Sequence, residues 1–154
     1  MSFFKKTLYK LIKNNVSIST VESCTGGLLA YSFIKNKDAS KIFKSGYICY
    51  SNVSKSNILK INNDILKRNG AVSKITAKLM VEKLHRIEKT ILSISTTGIA
   101  GPKGGTKNKP VGLVYIGIKY KSNVTIYKKI FKGSRINIQK MTVKFIHNKL
   151  NKLL

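Results

Sequence analysis

Residues 21–30 read Val-Glu-Ser-Cys-Thr-Gly-Gly-Leu-Leu-Ala, and how this stretch is read decides the fold. The run before it, residues 16–21, is short and rich in β-branched side chains, which predicts a strand. Residues 25–34 carry apolar positions at helical spacing, which predicts a helix. The stretch is then a strand-to-helix turn. At such a turn the first helical N–H groups have no intrahelical partner and can hold an anion or a developing oxyanion. The glycine pair lets a ligand approach the backbone closely. Two readings stay open from these residues alone. Either Ser23 or Thr25 caps the helix, or one of Ser23, Cys24 and Thr25 is a nucleophile displayed on the turn.

On either side the chain alternates in the same way. Residues 2–14 place Phe3, Phe4, Leu8, Leu11 and Ile12 on one helical stripe. Residues 43–50 predict a strand, and residues 52–59 a helix with Asn52 as its N-cap. Residues 64–67 predict a short turn of helix, ended by Asn69-Gly70. Ser73 caps a long helix through residue 88, with Ala77, Met80, Val81 and Leu84 on one face. Residues 91–96 predict a buried strand, and residues 98–110 a loop broken by glycine and proline. Residues 111–120 and 124–131 predict a hairpin about Lys-Ser-Asn, and residues 135–153 a closing helix. This order predicts an α/β fold: one layered α/β/α domain over residues 1–154, with a mixed, mainly parallel sheet and a late β-hairpin.

Composition fits one such domain. A chain of 154 residues with 42% hydrophobic side chains can bury a core. No apolar run reaches the roughly 18–20 residues of a membrane span, and the lysine-interleaved N-terminus carries no cleavage signature. The two cysteines, Cys24 and Cys49, have no metal-ligand spacing. These features predict a cytoplasmic chain with reduced thiols, no membrane partner and no metal.

The net charge of +25 invites a nucleic-acid reading. Yet only Arg68, Arg86 and Arg135 supply the planar fork that clamps phosphates and reads bases, and the lysines are spread along the chain. The accompanying wealth of Asn and Ile matches AT-rich codon usage. A specific nucleic-acid partner is therefore not expected. The competing basic-binder class predicts affinity that collapses with salt. The charge still steers anionic ligands and presses neighbouring lysine pKa values down.

Three further constellations bear on chemistry. Residues 46–55 run Gly-Tyr-Ile-Cys-Tyr-Ser-Asn-Val-Ser-Lys. A strand there delivers Tyr50 to its end and puts Lys55 about one helical turn beyond. A lysine serves as base near pH 7 only when its pKa falls from about 10.4 toward about 7–8. Otherwise Lys55 is one more solvated cation. Residues 95–105 and 110–112 form a glycine-rich loop after a buried strand, where ligands of α/β folds sit. It matches neither a Walker A nor a GxGxxG pattern, so neither ATP nor a dinucleotide is expected. Arg135, before the last helix, is either a helix-start surface charge or a bidentate phosphate clamp. His85 and His147 have no partner pattern and are assigned to surface or core. With five acids in the chain, a carboxylate-pair mechanism is not expected.

Glu-Ser-Cys-Thr-Gly-Gly (22–27), Tyr-Ser-Asn-x-x-Lys (50–55), Gly-Ala-Val-Ser (70–73), Thr-Gly-Ile-Ala-Gly-Pro-x-Gly-Gly (97–105) and Lys-Pro-Val-Gly (109–112) occur in this order. Together they resemble the CinA C-terminal domain family (competence/damage-inducible protein), whose stand-alone members include nicotinamide-nucleotide amidases. The resemblance spans residues 5–150. It implies hydrolysis of nicotinamide mononucleotide to nicotinate mononucleotide and ammonia, in pyridine-nucleotide salvage, by a metal-free Ser/Lys pair and without a cofactor. Carried over by motif, Ser23 is the nucleophile, Lys55 its base, and Tyr50 a proton relay or orienting group.

The same resemblance implies that Thr25 and Gly26 lie at the substrate and that Thr97, Gly98, Gly101, Gly104, Gly105 and Arg135 hold its phosphate. Ser40 falls where the family carries a functional serine, although the chain reads Asp-Ala-Ser-Lys there instead of the usual Gly-Ser-Ser. The expected partner is a small phosphorylated pyridine nucleotide, in a homodimer or higher homo-oligomer. A non-catalytic nucleotide-binding module of the same fold is the competing class.

Overall fold

The computed structural model describes residues 2–154. The chain opens with α1 (Phe3–Lys13), β1 (Ile18–Glu22) and α2 (Leu28–Ile34). A 3-10 turn (Ala39–Lys41) then leads into β2 (Phe43–Ile48). Three helices follow: α3 (Asn52–Leu59), α4 (Asn63–Asn69) and α5 (Lys74–Glu88). The chain closes with β3 (Leu92–Gly98), β4 (Leu113–Tyr120), β5 (Asn123–Ile130) and α6 (Arg135–Leu153).

The five strands form one sheet in the order β2-β1-β3-β4-β5. β1 pairs in parallel with β2 and with β3, whereas β3–β4 and β4–β5 are antiparallel. The mixed sheet and late hairpin are those the sequence predicts. Helices cover both faces. Leu8 and Leu11 of α1, Leu29 and Phe33 of α2, and Ile138, Ile146 and Leu150 of α6 pack on Ile18, Ile94 and Ile116. On the other face Val21 packs with Leu59, Leu66, Met80 and Leu84 from α3, α4 and α5.

Alternation along β3 explains how closely α5 sits. Leu92 and Ile94 belong to the first core, so Ser93, Ser95 and Thr97 face the other way. Ser95 Oγ donates to the Ala77 carbonyl of α5 at 2.8 Å. Beside it on β4, a Cβ at Gly117 would meet Ser95 Oγ, the Ala77 carbonyl and Val81. Small side chains here let helix and sheet make near-backbone contact.

Several element boundaries differ from the sequence expectation, each for a local reason. α2 begins at Leu28, not Thr25, because Gly26 and Gly27 take left-handed φ values of 58° and 98°. The N-cap of α3 is Ser51, not Asn52. Its Oγ accepts from Ser54 N at 3.0 Å while Ser54 Oγ accepts from Ser51 N at 3.1 Å, a reciprocal capping box. The expected short turn at residues 64–67 is a full helix, started by Asn62 Oδ1 accepting from Asp64 N at 2.7 Å.

Register aligns the carboxyl ends of the first three strands: Glu22 of β1 is level with Ile48 of β2 and Thr96 of β3. The chain leaves β1 through α2 on one face and returns to β3 from α5 on the other. Strand order therefore reverses about β1, and a crevice opens at its carboxyl end.

Candidate active site

Ser23 is the first residue beyond β1 and is anchored by its N–H donating to the Thr96 carbonyl at 3.0 Å. Across from it stands Lys55, one turn into α3 and fully buried. Lys55 Nζ lies 3.2 Å from Ser23 Oγ, 2.9 Å from the Cys49 carbonyl and 3.4 Å from the Tyr50 carbonyl. No acid pairs with it; the one ion pair among the described residues is Lys41–Asp38 on the surface. Burial holds the Lys55 amine below the ordinary lysine range, with the Cys49 and Cys24 thiols opposing the shift. Two carbonyls and the Ser23 hydroxyl surround the amine, an arrangement that serves the three N–H bonds of an ammonium or the two N–H bonds and lone pair of an uncharged amine.

Cys24, next to the serine, is a different kind of group. Burial first, and the Glu22 charge among lesser causes, push its thiol up to about 12. It stays protonated and is a poor nucleophile near neutrality.

Glu22 and Thr25 overturn one expectation. The leading amides of α2 do not face a ligand, because the buried Glu22 carboxylate takes them. Its Oε2 accepts from Gly27 N and Leu29 N at 3.0 Å each and its Oε1 from Ala30 N at 2.8 Å. Thr25 Oγ1 donates to Glu22 Oε2 at 2.6 Å and lies 2.7 Å from Thr96 Oγ1. Thr25 is thus 2% exposed and braces the turn from inside. Among the described residues, the Cys24 and Thr25 N–H groups have no backbone or side-chain oxygen acceptor.

A cavity of about 260 Å³ opens over Ser23, near the small end of ligand pockets. Its wall includes Ser23, Cys24, Tyr50, Thr97, Ala71, Val72 and the loop from Gly98 to Gly104. Arg135, at the start of α6, reaches across it: Nη1 donates to the Gly101 carbonyl at 2.7 Å and Nη2 to Tyr50 Oη at 2.8 Å. Thr97 Oγ1 donates to the Ala71 carbonyl at 2.6 Å, tying β3 to the segment before α5. Lys103 and Arg135 give the wall two cationic side chains, and no acid lines it.

The structure brings together Ser23, Lys55, Tyr50, Thr97, Gly98, Gly101, Gly104 and Arg135. It does not bring the remaining expected residues to the cavity wall. Gly105 packs against the backbone of Val111, and Gly26 is exposed at the outer side of its turn. Ser40 is exposed on the 3-10 turn that enters β2 near Phe43, the residue paired with Ile18 at the opposite end of β1. The length of the sheet separates it from Ser23.

Both histidines lie away from the cavity. His147 is buried against Phe4 and Phe33, its Nε2 2.8 Å from Ser32 Oγ. His85 is half-buried on α5, and Nδ1 lies 3.4 Å from Ser93 Oγ. Among the described residues no three His, Cys, Asp or Glu side chains converge as a metal-binding group. No helix is long and apolar enough to cross a membrane among those residues.

Sequence reasoning missed Lys103, hidden among 27 lysines, and the task of the Glu22 carboxylate. The second had a signal: an acid at a strand end, followed by two glycines and an apolar run, marks a side chain free to fold back onto a helix start.

Comparison with known proteins agrees with the fold. A CinA-like protein of Fusobacterium nucleatum is 42% identical over 153 residues, covering 97% of this chain and 37% of its own length. A Clostridium beijerinckii relative is 49% identical over 129 residues, covering 84% of this chain and 32% of its own length. The chain thus spans about a third of the length of these relatives. The crystal structure of the competence/damage inducible protein CihA from Agrobacterium tumefaciens superposes with a TM-score of 0.91 at 30% identity, covering 99% of this chain and 96% of that one. The family described as the CinA C-terminal domain matches residues 2–154, and the chain belongs to that family.

Proposed function

We propose that this domain is an amidohydrolase that acts on nicotinamide mononucleotide by a Ser/Lys mechanism, releasing nicotinate mononucleotide and ammonia. The observation that carries the reading is the 3.2 Å approach of Ser23 Oγ to a fully buried lysine amine with no acid beside it. In this reading Lys55 takes the Ser23 proton as Oγ attacks the carboxamide carbon. The resulting ammonium gives that proton to the departing nitrogen, and ammonia leaves. Water, deprotonated by the same amine, then cleaves the ester on Ser23 and restores the hydroxyl. The Cys24 and Thr25 amides, which have no oxygen acceptor among the described residues, are the donors available to the tetrahedral oxyanion.

A phosphorylated substrate fits a wall with two cations and no carboxylate. Arg135 retains N–H bonds beyond the two it uses, enough to meet a phosphate while leaning on Gly101 and Tyr50. Pyridine-nucleotide salvage, and assembly as a homodimer or larger homo-oligomer, belong to the same proposal.

The test is incubation of the purified chain with nicotinamide mononucleotide, reading ammonia and the acid product together. Stoichiometric release in the native chain and none in Ser23→Ala supports the assignment. Tight binding without release would mark a nucleotide-binding module instead.

A further inference from the structure

We infer that Glu22 is the positioning residue of the nucleophile turn: by holding the first amides of α2 itself, it fixes where Ser23 and the adjoining free N–H groups stand. The inference rests on the Ser23 hydrolase reading above. Glu22 is 1% exposed and has no cationic partner among the described residues. Its carboxylate accepts from three backbone amides, Gly27, Leu29 and Ala30, and from the Thr25 hydroxyl. These donors lie on both sides of Gly26, so one side chain closes the whole loop from the end of β1 to the third residue of α2.

The consequence for chemistry lies in which amides are spent. With Gly27, Leu29 and Ala30 turned to Glu22, and Gly26 N donating to the Ser23 carbonyl at 3.1 Å, the turn leaves the Cys24 and Thr25 amides without an oxygen acceptor among the described residues. An acceptor-only group is needed for this. All four contacts are donors, and a carboxamide would set its own NH₂ against one of them. The chain has five acids, and this one is buried in the turn that carries Ser23.

A small fluorophosphonate reads the geometry without the natural substrate. Ser23 Oγ forms a bond to phosphorus, fluoride leaves, and Lys55 accepts the hydroxyl proton. Glu22→Gln is expected to slow labelling at least tenfold, and Thr25→Val, which removes one donor and keeps the carboxylate, at least threefold. The pH midpoint of labelling should stay where it is, because burial and not Glu22 sets the Lys55 amine.

Labelling of both variants within twofold of the native rate overturns the inference. So does a midpoint that climbs to the ordinary lysine range along with the slowing, because that reports an opened site and not a misplaced serine. If Glu22→Gln does not fold, Thr25→Val decides alone on the same two criteria. A native chain that resists labelling, or a Ser23→Ala chain that still reacts, sinks the hydrolase reading instead.

Discussion

Lys55 carries the sharpest expectations at the scale of single residues. A base must be uncharged to work, so activity should rise with pH through the Lys55 pKa and level off above it. The midpoint should lie below the ordinary lysine value, since burial is its cause. Lys55→Met should lower the rate about 10²–10⁴-fold, the usual worth of general acid–base help. The same variant should unfold at a higher temperature than the native chain. Taking the amine out of water carries a desolvation cost on folding, which the Met thioether escapes. Activity assays and thermal melts on one preparation check both halves. Ser23→Ala should abolish turnover while Cys24→Ala keeps it within about threefold, because the Cys24 thiol does not ionise near neutrality. Ser23, Lys55 and Tyr50 were legible through the ordered motifs that resemble the family, since from the residues alone Ser23 could equally cap a helix and Lys55 be one more solvated cation. The Glu22 contacts and the place of Ser40 were not, because they depend on how the turn after β1 folds back and on which end of the sheet the chain crosses.

Elements decide how steadily those groups are held. The turn of α3 that carries Lys55 starts with the Ser51–Ser54 box. Ser51→Ala should cost about 1 kcal/mol of stability, read as a shift in the urea midpoint. Gly117→Ala should cost about 1–3 kcal/mol, since the added methyl would drive Ser95 and the Ala77 carbonyl away from β4. Strand and helix identities were legible from periodicity, the long α5 above all, whose Ala77, Met80, Val81 and Leu84 stripe is buried as read. Boundaries were less so. Propensity gives no notice that Gly26 and Gly27 turn left-handed, and Ser51 competes with Asn52 as a cap on equal chemical terms.

For the whole molecule, charge and one histidine set the response to conditions. Thirty basic residues face five acids, with a single ion pair among the described residues. Self-repulsion is then nearly uncompensated, and added salt screens it. Raising sodium chloride from about 20 to about 300 mM, which shortens the screening length severalfold, should raise the melting temperature by several degrees. It should also raise KM for an anionic substrate. Burial, aided by the Lys35 charge, pushes His147 down to about 3 from its usual 6.5. As pH falls below 6.5 the unfolded chain takes up this proton and the folded chain does not. The stability owed to neutral His147 is complete above that value and is lost progressively toward pH 3. Urea midpoints across this window should fall, and His147→Gln should flatten the slope. The layered architecture was legible because strands and helices alternate until the hairpin. The reversal of strand order about β1, which creates the crevice, follows from helices leaving on opposite faces and is a property of the assembled sheet.

The two thiols hold one last consequence. Cys24 and Cys49 are both buried, and burial raises both above their ordinary range. Peroxide attacks the ionised sulfur, not the protonated one. Cys24, beside the proposed nucleophile, is therefore a poor target for oxidants, and turnover should continue in a peroxide concentration that silences hydrolases whose working group is a thiolate.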